Sequence, residues 1–211
     1  MDLTDALRKS REYFLDKITT HGPVPQGVDF NGPAAQSVRF DQLVRIVEPA
    51  RPFSLIDYGC GYGALLPYLG GRGWDFEYWG YDELDAMVAA ARREFGDSEH
   101  VHFTTELPSV PRCEYLIAGS IFNIKFDVEA DTWREHTLGV LRKMDSMCTR
   151  GMAFDILTSY SDPDRMALRP DLYFADPLFY FDFCKRSFGP NVALLHDYGL
   201  YDFTILVRKQ V

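Results

Sequence analysis

Ser54-Leu-Ile-Asp-Tyr-Gly-Cys-Gly-Tyr-Gly-Ala-Leu-Leu66 is the stretch whose reading decides the fold. An apolar run ends in Asp57 and passes at once into glycines at 59, 61 and 63. Glycine has no Cβ, so a chain turning here from strand to helix can take positive φ and bring its backbone close to a flat ligand. A second run, Phe76-Glu-Tyr-Trp-Gly-Tyr81, ends in Asp82. An acid about 20 residues beyond the glycines is where ribose hydroxyls are met in such folds. Two carboxylates, with Glu83 beside the second, therefore flank one crevice.

Working outward, the pattern predicts strands over 53–57, 76–81, 101–104, 114–119 and 151–157, with helices over 63–69, 84–95 and 130–147 between them. This alternation implies a parallel sheet covered by helices on both faces. The link of residues 105–112 is too short for a full crossover helix. A helix over 176–187 then leads to strands over 192–195 and 200–207, joined by a turn around Tyr198-Gly199, and so antiparallel to each other. Before residue 51, helical spacing through Leu7, Tyr13, Phe14 and Ile18 predicts an amphipathic helix over 4–20, stopped at His21-Gly-Pro23. A Pro- and Gly-containing loop separates it from a helix over 36–47. Residues 1–50 are expected to form a helical cap and residues 51–211 the α/β core.

With 211 residues, of which 46% are apolar, the chain suits one domain with a full core. A net charge of −9 argues against a nucleic-acid partner, because phosphate contacts need clustered Lys and Arg. The four cysteines show no metal or redox spacing, and no leader or membrane-spanning run is evident. A cytoplasmic location, no membrane partner and no metal are expected; the oligomeric state is not legible.

The motifs DYGCGYG and YWGYDELDAMVAAAR resemble those of the class I S-adenosylmethionine-dependent methyltransferases, small-molecule type. NGPAAQSVRFDQLVRIV resembles their lead-in helix. The resemblance implies a mostly parallel, doubly wound, seven-stranded Rossmann-like sheet ending in an antiparallel hairpin, with S-adenosyl-L-methionine as cofactor. It also implies roles. Asp57, Gly59, Cys60, Gly61 and Tyr62 would hold the methionine portion, and Asp82 with Glu83 the ribose. Glu106 would meet the adenine amino group, Gly119 the ligand ammonium, and Gln36 or Arg39 the cofactor's polar end.

Gly59, Gly61 and Ala64 also satisfy the looser dinucleotide pattern of an NAD(P)-dependent oxidoreductase. Asp57 argues against it, since a carboxylate there repels a pyrophosphate and attracts an ammonium and a sulfonium. Two further readings stay open: a non-catalytic subunit that binds the same cofactor, and glycines that serve close packing alone.

The acceptor is read as a small molecule. The Asx-Pro-Pro-aromatic run common in amine and base methyltransferases is replaced by Ser120-Ile-Phe-Asn123, which tilts the expectation toward a hydroxyl or carboxyl. Asn123 would face the acceptor, together with Tyr160 and Tyr173 of the long 158–175 connection and Asp197, Tyr198 and Tyr201 of the terminal hairpin. His196, at the end of the sixth strand, is the candidate catalytic base, since an imidazole with an ordinary pKa of about 6.5 accepts protons near neutrality. The loop aromatics could equally be packing residues, and His196 an ordinary hairpin residue.

Overall fold

Seven strands form one sheet in the order β3-β2-β1-β4-β5-β7-β6 in the computed structural model, which describes residues 1–209. They are β1 (Phe53–Tyr58), β2 (Phe76–Tyr81), β3 (Val101–Thr104), β4 (Cys113–Ala118), β5 (Cys148–Leu157), β6 (Val192–Leu195) and β7 (Asp202–Arg208). Neighbours from β3 through β5 are parallel, and β7 runs antiparallel to both β5 and β6. The expected terminal hairpin is present, with its second strand inserted beside β5. From β1 the chain winds outward to β2 and β3, then returns to β4 on the other side of β1. The strand ends there splay apart and leave a crevice.

The helices are α1 (Leu3–His21), α2 (Pro33–Leu43), α3 (Leu65–Gly70), α4 (Asp85–Phe95), α5 (Ala130–Met147), α6 (Pro163–Leu168) and α7 (Pro177–Ser187). Their limits follow local chemistry. Asp2 caps α1 by accepting from the Asp5 amide at 2.8 Å, and Gly22 ends it at φ 74°. Asp176 caps α7 through the Leu178 amide, with Pro177 at the first helical position, where a missing N–H costs nothing. The connection at 158–175 is not wholly irregular, since α6 forms inside it. The link after β3 holds only a single 3₁₀ turn at Leu107–Ser109.

Alternation along the strands sorts the core into two layers. Ile56, Leu116, Phe154 and Phe203 face α5 and α7, packing with Trp133, Leu141 and Tyr180. Leu55, Tyr78, Phe103 and Ile117 face the other way, against Leu43, Leu65 and Val88. Leu43, Val44, Ile46 and Val47 are buried in this second layer beside Phe53, so the sheet's packing begins before residue 51. A small third cluster of Ile18, Tyr62, Met87 and Ala90 seats α1 on α4. From there α1 bridges two loops at the strand ends: Arg11 donates to the Glu83 carbonyl after β2, and Lys9 lies 3.8 Å from Asp127 after β4.

Candidate active site

Asp57 leaves β1 directly beneath the glycine loop. Gly59, Gly61 and Gly63 all take positive φ, at 79°, 55° and 83°. A Cβ on Gly59 would stand 2.4 Å from Cγ2 of Ile121, closer than carbon atoms approach. The loop is tied to the end of β2 because the Gly59 and Cys60 amides both donate to the Tyr81 carbonyl, at 2.8 and 2.9 Å. Asp82 then accepts from the Gly61 amide at 2.9 Å and from the Leu84 amide at 3.0 Å. On the other side, Tyr62 donates to the Gln36 side-chain oxygen at 3.2 Å, which joins the loop to α2.

These groups open on a cavity of about 290 Å³. Asp57, Gly59, Cys60, Gly61, Tyr62, Asp82, Glu83, Gly119 and Gln36 all line it, as do Ser120, Ile121 and Phe122 of the turn after β4. Further walls come from α1, through Leu7, Ser10, Arg11 and Phe14, from α5, through Trp133, His136 and Val140, and from Val28, Phe30, Phe40 and Met87. No described helix is long and apolar enough to cross a membrane, and no cluster of metal-binding side chains occurs among the described residues.

Burial sets the electrostatics. The Asp57 carboxyl is pushed up to about 7 by burial and further by the Asp82 charge, against the Tyr78 hydroxyl that donates to it at 2.6 Å. Asp82 rises to about 6 from burial, opposed by its two backbone donors. Burial and both acids push the Cys60 thiol well up, so it is an inert small residue rather than a nucleophile. Burial also lowers the His136 imidazole pKa. The cavity thus holds two acids whose ionised form is stabilised by any cation placed beside them, and its walls are otherwise largely apolar.

No family model matches the chain. The protein named "Putative methyltransferase Rv1506c" from Mycobacterium tuberculosis is 46% identical over 166 residues, covering 79% of this chain and 99% of that one. The chain belongs to the class I S-adenosylmethionine-dependent methyltransferases. Among solved structures, the methyltransferase fold is shared with NodS, an N-methyltransferase from Bradyrhizobium japonicum seen in complex with S-adenosylhomocysteine. That match has a TM-score of 0.65 at 12% identity and covers 95% of this chain and 98% of NodS. Human N-acetylserotonin methyltransferase, in complex with S-adenosylmethionine, matches with a TM-score of 0.63 at 16% identity. That match covers 99% of this chain, which spans 66% of the human enzyme's length.

Several residues expected at the site of this methyltransferase lie elsewhere. Arg39 does not line the cavity. Its guanidinium is drawn to two buried carboxylates, at 2.5 Å from Asp202 and 3.5 Å from Asp155, and stacks over Phe30. Tyr173 is a core residue whose hydroxyl pairs with that of Tyr180 at 3.0 Å. Tyr198 bonds Thr204 at 3.0 Å, and burial raises its hydroxyl pKa. The Asn123 side-chain oxygen is occupied by the Leu157 amide at 3.1 Å. Glu106 is exposed and outside the cavity, because the 3₁₀ turn that follows β3 carries the chain away.

His196, Asp197, Tyr160 and Tyr201 sit together on the outer surface. The His196 ring lies 5.9 Å from that of Tyr160, and Tyr201 donates to Asp162. None of the four lines the cavity of the methyltransferase. Conversely, sequence reasoning passed over Tyr78, Leu7, Ser10, Phe14, Trp133 and His136. The helical spacings Leu7-Ser10-Phe14 and Trp133-His136-Val140 each put three residues on one face, and that regularity was the available signal.

Proposed function

We propose that this methyltransferase binds S-adenosylmethionine in the cavity and transfers its methyl group to a small-molecule acceptor. The observation that carries this is the pairing of Asp57 and Asp82, at the ends of adjacent strands, on either side of a positive-φ glycine loop in which a Gly59 side chain would collide with Ile121 of the facing wall. The residues fit the cofactor: Asp57 keeps Oδ1 for an ammonium, each Asp82 oxygen keeps a lone pair for a ribose hydroxyl, and Gly59 and Gly61 let the ligand approach the main chain closely. The solved structures of the same fold that hold S-adenosylmethionine or S-adenosylhomocysteine support it. When bound, the cofactor supplies a methyl group on a sulfonium, activated for displacement.

The protein's own part is to orient and to exclude water. Asp57 and Asp82 fix two points of the ligand, the glycine loop and the Gly119–Phe122 turn enclose it, and the apolar side chains of α1 and α5 keep the site dry. Residues 1–50 serve as its cover. A hydroxyl or carboxyl acceptor is favoured, because the turn after β4 lacks the Pro-Pro-aromatic run and its Asn123 oxygen already holds the Leu157 amide.

Calorimetric titration with S-adenosylhomocysteine tests the reading. Saturable binding, with none for NADH, is expected. Binding of NADH in its place would reinstate the oxidoreductase. Incubation of the protein and S-adenosylmethionine with metabolite extracts, followed by mass spectrometry for a product heavier by one methylene, identifies the acceptor.

A further inference from the structure

Ser120, the second residue after β4, holds a left-handed backbone with φ at 59°, one of three non-glycine residues with positive φ among those described. Such a conformation is strained for a serine and persists only where its surroundings impose it. The restraint is Asp155. From inside β5, with its side chain fully buried, this carboxylate accepts from the Ser120 amide through Oδ1 and from the Ser120 hydroxyl through Oδ2 at 3.1 Å. The bend it enforces directs Ile121 toward the glycine loop, where the Cγ2 atom occupies the space a Gly59 side chain would need.

Asp155 is itself held by Arg39 of α2, whose guanidinium it shares with Asp202. Arg39 Nε and Asp202 Oδ1 have no hydrogen-bond partner although both are buried, so the cluster is not assembled for best pairing. Three residues before Arg39 on the same helix, Gln36 accepts from Tyr62 of the glycine loop. One face of α2 therefore reaches both halves of the cavity wall: the glycine loop through Gln36, and the turn after β4 through Arg39 and Asp155.

We propose that Asp155 is a positioning residue of the cofactor site, acting through Ser120, and that α2 is the bracket that fixes the β4 turn and the glycine loop relative to each other. This rests on the reading of the cavity as the cofactor site. Neither Asp155 nor Arg39 touches the cavity. A cluster that merely stabilised the fold would change melting temperature and leave the affinity of the folded protein alone.

A thermodynamic cycle distinguishes the two. S-adenosylhomocysteine affinity is measured by calorimetry for the wild type, Asp155→Asn, Ser120→Gly and the double variant, with folding checked by circular dichroism. Asp155→Asn is expected to weaken binding about tenfold in the wild-type background and less than about threefold on Ser120→Gly, because glycine takes the bend without restraint. Unchanged affinity in a folded Asp155→Asn protein, or an equal loss in both backgrounds, overturns the proposal. If Asp155→Asn does not fold, Arg39→Lys replaces it in the same cycle with the same criteria. Failure of the wild type to bind overturns the cofactor reading instead. The bracket is then judged by hydrogen exchange over Gly59 to Gly63 in the Arg39→Lys variant, which should quicken; unchanged exchange there overturns it.

Discussion

Tyr78 of β2 donates its hydroxyl proton to Oδ2 of Asp57 on β1 across 2.6 Å, with both side chains buried. This bond favours the ionised acid in a place where burial disfavours it. Tyr78→Phe therefore raises the Asp57 pKa further and leaves less carboxylate to meet a ligand ammonium. A hydrogen bond to a charged group is worth about 1.5 to 3 kcal/mol, so S-adenosylhomocysteine affinity at neutral pH should fall roughly tenfold or more. Titration calorimetry between pH 6 and 8.5 should also show the affinity recovering at higher pH in the variant than in the wild type.

The raised acids give the free protein a pH-dependent stability of definite sign. Asp57 and Asp155 rise to about 7 and Asp82 to about 6, so between the ordinary carboxylate range and these values the folded chain binds more protons than the unfolded one. Their contribution to stability is therefore lost as pH climbs from about 4 toward 7 and levels off above. Scanning calorimetry of the ligand-free protein should show that decline, and Asp57→Asn should lessen it. Bound S-adenosylhomocysteine should offset the decline in the wild type, since it favours the ionised acid, and should fail to do so in Asp57→Asn.

At Gly59 two penalties coincide: a φ of 79° and a Cβ placed 2.4 Å from Ile121. Gly59→Ala should abolish detectable binding of S-adenosylhomocysteine by displacing either the loop or Ile121. At Gly22, by contrast, the same substitution meets no atom within 4 Å and costs only backbone strain, of about 1 to 3 kcal/mol. A Gly22→Ala protein that is less stable but binds normally, beside a Gly59→Ala protein that does not bind, would show that positive-φ strain away from the cavity does not by itself abolish binding.

His196 stands outside the cavity. His196→Ala is expected to leave S-adenosylhomocysteine affinity, KM for the acceptor and kcat unchanged, as measured with whatever acceptor the metabolite screen identifies. A fall in kcat of about 10²- to 10⁴-fold with cofactor binding intact would instead assign it the general base.

The sheet was legible because its signals are local. Each strand is built around a few apolar residues close together in the chain, and the acids at 57 and 82 mark two strand ends directly. That Asp57, Asp82 and glycines of the loop come together at one cavity was legible for the same reason, since they lie on two adjacent strand ends. What failed depends on where a long side chain turns once its helix is packed. Arg39 sits on the expected helix, but two buried carboxylates distant in sequence outcompete the cavity for its guanidinium. Tyr173 and Tyr198 find buried hydroxyl partners that no spacing rule reveals. Tyr78 was hidden in the middle of a strand, where an aromatic residue reads as core and its hydroxyl carries no sequence signal.

Helix α1 anchors itself and lines the cavity with overlapping residues. Ala6 and Ile18 are buried in the core clusters; Leu7 and Phe14 pack at the edges of those clusters and, with Ser10 and Arg11, line the cavity. Its polar ties to the rest of the chain run through Lys9, Arg11 and Lys17. Ser10 belongs to no core cluster, so its side chain can be exchanged without disturbing a strand, a glycine or either acid. Shape on this wall of the cavity can thus change at one turn of one helix while the strand ends stay as they are.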